Sequence, residues 1–146
     1  MGYYTTQVDQ HFTIPADKLG EAFEALKALN TNTPDSEKRG GSWGPGGQRA
    51  SWFSWMDENY DKTAVDAAEI FEALGFTVDR DGDCEGGLSL DGYDSKTGQE
   101  DLFLTAVKDL VPEDSFIEFR GEDGAMYRWT PKGVQYATVT WGDPED

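Results

Sequence analysis

The sequence predicts an α+β domain, a mostly antiparallel sheet with about three helices packed on one face and a three-stranded meander at the C-terminal end. Three observations lead there. Several short stretches alternate apolar and polar residues with a period of two, as half-buried strands do. Three other stretches repeat apolar residues at helical spacing. The strands near the end are joined by short glycine-containing links, which make hairpins rather than crossovers.

Residues 3–14 alternate, with Tyr4, Thr6, Val8, Phe12 and Ile14 on one side, and read as a first strand whose core face carries those residues. After Pro15, the positions Leu19, Ala22, Phe23, Leu26 and Leu29 recur at helical spacing up to Asn30, a first helix. Periodicity then vanishes between about residues 31 and 49, where Gly40-Gly41, Gly44-Pro45 and Gly46-Gly47 suggest a flexible loop. Residues 51–56 read as a short aromatic strand. Thr63 with Asp66 three residues on resembles a capping box, and Val65, Ala67, Ala68, Ile70, Phe71 and Leu74 before Gly75 outline a second helix over 63–74. Residues 76–79 and Leu88 with Leu90 form a hairpin around Asp81-Gly82, and a third helix covers about 98–110. Residues 115–120, 125–130 and 134–141 make the meander, and residues 142–146 an acidic tail. One domain is expected over 1–146, since a chain of this length can bury roughly two-thirds of its unfolded surface.

Composition narrows the function. Twenty-nine acidic residues against twelve basic ones give a net charge of −17. Residues 57–101 concentrate the excess, with fourteen carboxylates against Lys62, Arg80 and Lys96. Such a field repels nucleic acid and anionic lipid and speeds encounter with basic surfaces; direct nucleic-acid binding and membrane association are therefore not expected. It also favours solubility, whatever else it does. No apolar run approaches the roughly 20 residues that span a bilayer, and the N-terminus lacks the pattern of a secretory signal, so the expected location is the cytoplasm.

Catalytic patterns are sparse. Cys84 is the sole cysteine and sits among Asp81, Asp83 and Glu85, whose charge suppresses a thiolate; His11 is the sole imidazole. No Gly-Lys-Ser/Thr phosphate loop occurs. Asp79, Asp81 and Asp83 alternate like the start of a calcium loop, but Cys84 stands where the turn requires glycine and Leu90 where the loop ends in glutamate. Asp91 with Glu118-Phe119-Arg120 has a nuclease-like spacing; with Asp81 it defines an alternative reading, a metal-dependent hydrolase whose carboxylates would converge. No cofactor is otherwise expected. The aromatics Trp43, Trp52, Phe53, Trp55 and Tyr60, next to a glycine-rich stretch, define another alternative, a small-ligand or peptide binder.

Met1-Gly2-Tyr3-Tyr4-Thr5, Trp52-Phe53-Ser54-Trp55, Asp94 to Glu100, and Gly121-Glu122-Asp123-Gly124 followed by Tyr127-Arg128-Trp129 resemble small uncharacterised acidic proteins of actinobacterial phages and prophages. The resemblance spans most of the chain and carries no assigned activity, so it implies a phage context and no catalytic residue. Charge and context together point to a non-enzymatic interaction protein, an inhibitor that engages a host nucleic-acid-binding or defence protein through its acidic surface. The residues expected to meet that partner are Asp57, Glu58, Asp61, Asp66, Glu69 and Glu72, with Trp43, Trp52 and Trp55 as aromatic anchors.

Overall fold

A computed structural model of the chain describes residues 4–34, 37–38, 40–44, 47–53, 56–81, 86–96 and 99–137, with side chains left undescribed at 40–44, 47–52 and 96. The elements run β1 (Tyr4–His11), β2 (Thr13–Ile14), α1 (Leu19–Asn32), β3 (Gly40–Gly44), β4 (Gly47–Trp52), α2 (Tyr60–Thr63), α3 (Ala67–Leu74), β5 (Phe76–Asp79), β6 (Leu88–Lys96), α4 (Glu100–Ala106), β7 (Phe116–Gly121), β8 (Met126–Thr130) and β9 (Gly133–Tyr136). Seven strands form one antiparallel sheet. β1 and β2 follow one another along one side of β6, β5 lies on its other side, and the meander β7-β8-β9 continues from β1. The α+β class and the C-terminal meander are as the sequence predicts; the last strand is described as Gly133–Tyr136, and residues 138–146, which include the end of the strand expected over 134–141 and the acidic tail, lie outside the described residues.

One face of the sheet is covered. Ala22 and Leu26 of α1, Ile70, Phe71 and Leu74 of α3, and Phe103 and Leu104 of α4 pack against Phe12, Ile14, Phe76, Leu90, Ile117, Phe119 and Trp129. Edge-to-face ring pairs knit this core, including Phe12 with Trp129 at 5.6 Å and Phe53 with Phe103 at 5.0 Å. Such pairs contribute beyond the area they bury.

The face assignment of the first strand needs correction. Tyr4 and Val8 are exposed, and Thr5 is buried instead. The cause is a bulge: Gln7 pairs with Phe119 and Asp9 with Glu118, so Val8 is an extra residue opposite no partner. One inserted residue exchanges the two faces, turning Thr5 and Gln7 inward before it and Phe12 and Ile14 inward after it.

Two other departures are local. The glycine-rich stretch contains a paired hairpin, β3 with β4 in a separate two-stranded sheet, and the strand expected over 51–56 ends at Trp52. Helix two divides: Thr63 closes the single turn α2, and Asp66, extended at φ −159°, caps α3 by accepting the Glu69 N–H at 2.8 Å. Val65 falls in the break and is 71% exposed rather than part of the core.

A polar cluster ties α4 to the sheet. Glu100 is buried, and the Tyr127 hydroxyl donates to its carboxylate at 3.2 Å while lying 2.9 Å from the Thr5 hydroxyl. Burial, then the nearby Glu100 and Tyr127, pushes the Tyr93 hydroxyl well above the ordinary tyrosine range.

Candidate functional site

The expected partner-facing carboxylates lie on α2, α3 and the turn before them. Ala67, Ala68, Ile70, Phe71 and Leu74 take the buried side of α3, which forces Glu72 onto its outer side and leaves Glu69 half-exposed. Asp57 and Glu58 are exposed in the turn that precedes α2. α1 packs beside both helices and exposes Glu21 and Glu24, the latter paired with Lys27 at 2.8 Å, while Lys62 is exposed on α2, so carboxylates outnumber cations on these helices. The helical layer therefore presents an acidic face.

The six carboxylates do not have equal freedom. Asp61 accepts the Asn30 side-chain N–H at 2.7 Å, a bond that fastens α2 to the buried end of α1, where Asn30 also donates to the Glu58 carbonyl at 2.9 Å. Asp57 accepts the backbone N–H of Asn59 at 2.8 Å. Asp66 and Glu72 share Arg80, whose guanidinium reaches them at 2.8 and 2.7 Å. Glu58 and Glu69 have no side-chain hydrogen bond or ion pair among the described residues, so their charge is the most available.

The Arg80 bridge has a measurable signature. Burial opposes ionisation of Asp66, but the Glu69 N–H and the Arg80 guanidinium outweigh it and hold the carboxyl below its ordinary value. A depressed carboxylate contributes stability that is present above the unfolded-state value of about 3.9 and is lost as pH falls through the lower folded value. Carbon-detected NMR titration is expected to place the Asp66 midpoint below that value, and Arg80→Gln to move it upward. A midpoint that Arg80→Gln leaves in place would show that the bridge is not formed in solution.

The hydrolase carboxylates are not brought together. β1 lies between β6 and β7, so Asp91 and Glu118 are two strand spacings apart, roughly 10 Å. Glu118 is engaged across the sheet by Arg128, at 2.6 Å. Asp81 lies beyond β5 and accepts the Gly86 N–H at 2.7 Å, while Asp79 accepts the Asp81 N–H at 2.9 Å. These carboxylates shape a turn. Asp83 lies outside the described residues, and among those described no three His, Cys, Asp or Glu side chains gather as metal ligands would.

Of the aromatic anchors, Trp43 and Trp52 lie on β3 and β4 with their side chains undescribed, and Trp55 lies outside the described residues. Phe53 and Tyr60, read as part of the same binding segment, are instead core residues, 0% and 3% exposed. The Tyr60 hydroxyl donates to the Leu26 carbonyl at 2.8 Å, and burial followed by the charge of Asp61 drives its ionisation far upward.

The structure adds a groove that sequence patterns did not reveal. It encloses about 360 Å³ between the first turns of α1, the start of α3, and Arg80, Gly86 and Leu88, beside the Asp66–Arg80–Glu72 bridge. No helix is long and apolar enough to cross a membrane among the described residues. Comparison with known proteins finds no matching family model, no matching curated protein and no matching solved structure.

Proposed function

We propose that this is a non-enzymatic interaction protein of phage type, an inhibitor that docks its acidic helical face on a basic, nucleic-acid-binding surface of a host protein. The observation that carries the reading is the exposure of Asp57 and Glu58 before α2 and of Glu72 on α3, with Glu69 half-exposed beside it, the carboxylates of Glu58 and Glu69 having no side-chain partner among the described residues. Carboxylates held on a rigid scaffold can stand where such a host protein expects phosphates. Their attraction to lysine and arginine is long-ranged and screened by salt.

The test has two parts. Partners are captured from an actinobacterial lysate, and the affinity of the strongest is measured from about 50 mM to about 200 mM salt, with duplex DNA as competitor. The expected result is a loss of tenfold or more in affinity over that range, displacement by DNA, and a comparable loss in the combined variant Asp57→Asn, Glu58→Gln, Glu69→Gln. Affinity that ignores salt, DNA and the variant would exclude the acidic face as the docking surface.

A further inference from the structure

We propose that the groove beside α3 is an anchoring pocket, which receives one apolar side chain from a basic segment of a partner protein while flanking lysine or arginine residues of that segment pair with the acidic rim. This rests on the acidic-face reading above and adds to it where the partner is gripped and by what.

The groove has the make-up of an anchor site. Leu19 and Phe23 of α1 and Leu88 of β6 supply apolar walls, and Ala67 and Ala68, the small residues opening α3, leave depth between them. A volume of about 360 Å³ lies in the usual range of ligand sites and exceeds what a single leucine or phenylalanine side chain requires. Gly20 lines the mouth. Its backbone is ordinary, and a Cβ placed there would meet nothing within 4 Å, so neither strain nor crowding calls for glycine.

Charge selects the occupant. Asp66 and Arg80 line the groove and Arg80 also holds Glu72, so two carboxylates meet one guanidinium there; Glu69 lies on the same helix, and Glu21 and Lys18 lie at the start of α1. A second copy of this chain would bring its own net charge of −17 against this rim, which disfavours self-association. A segment that combines one apolar side chain with basic neighbours satisfies floor and rim together. Such centrally buried anchors dominate interface energetics, with a polar rim around them.

The experiment uses the full chain and three synthetic peptides, Lys-Arg-Leu-Arg-Lys, Lys-Arg-Ala-Arg-Lys and Glu-Glu-Leu-Glu-Glu, followed by amide NMR shifts. The expected result is that the basic leucine peptide binds about tenfold more tightly than the basic alanine peptide, given the extra apolar area it buries. Shifts should centre on Gly20, Ala67, Ala68 and Gly86. Gly20→Phe, which fills the mouth, should erase the preference for leucine, and Gly20→Ala should keep it with an unchanged fold. Equal, salt-sensitive binding of both basic peptides would overturn the pocket while leaving the acidic face standing. Equal binding of the acidic and basic leucine peptides would make the groove a site for apolar ligands at large and overturn the proposed partner. Failure of both basic peptides to bind would remove the pocket and the acidic face together.

Discussion

Trp129→Ala is expected to destabilise the protein by about 3–5 kcal/mol. Trp129 is 1% exposed on β8, meets the Phe12 ring edge to face, and donates its indole N–H to the Thr105 hydroxyl at 3.2 Å. It therefore joins three parts of the fold, the meander, the end of the first strand and α4. Truncation removes a large buried surface and leaves a cavity whose walls, a sheet and a helix, cannot collapse fully. Trp129→Phe keeps a ring against Phe12 but loses the hydrogen bond and some volume, so a smaller cost of about 1–2 kcal/mol is expected. Urea unfolding of the three proteins measures both. A loss under about 1 kcal/mol for the alanine variant would mean that this seam is not packed as described.

Gly75→Ala should cost about 2–4 kcal/mol, although it adds only one methyl group. Gly75 ends α3 at φ +127°, a conformation that residues with a Cβ rarely adopt, and its N–H closes the helix on the carbonyls of Phe71 and Glu72. A Cβ there would also approach Tyr93 Cε2 to 3.0 Å and Ser95 Cβ to 3.4 Å. Tyr93 cannot yield easily, because it is 2% exposed and packed against Phe76 at 4.8 Å and Phe119 at 6.1 Å. Backbone strain and crowding add here. Thermal unfolding of the variant would show a depressed midpoint with the native spectrum retained at low temperature. A variant as stable as the parent would contradict the helix end.

Gly75 also shows which parts of the fold were legible in the chain. A glycine after an apolar helical stripe and before a strand has few other readings, so the end of α3 and the start of β5 follow from local stereochemistry. The same holds for the meander, where Gly121 to Gly124 and Pro131 to Gly133 separate alternating stretches. Val8 shows the opposite case. Nothing in Gln7-Val8-Asp9 distinguishes a bulge from regular pairing, because the extra residue exists only relative to the register of β7. Asp66 lies between the two: its cap of α3 was readable as a cap-forming residue type, but the competing Thr63 could be set aside only once α2 was seen to end there.

The site divides in the same way. Local sequence determined that residues 57–101 would be acidic and that the apolar stripe of α3 would turn Glu69 and Glu72 away from the core. Periodicity suffices for that, because burial of one helix side dictates the other. Tertiary structure alone decided that Arg80 would bridge Asp66 and Glu72, that Asp61 would be committed to Asn30, that Glu118 would answer Arg128 across the sheet, and that α1 and α3, with Arg80, Gly86 and Leu88, would leave a groove. Each of these depends on residues distant in the chain coming within a few ångströms. Hydrophobic patterning encodes which side of an element is buried, but the partner that each polar group finds is set by how the elements pack.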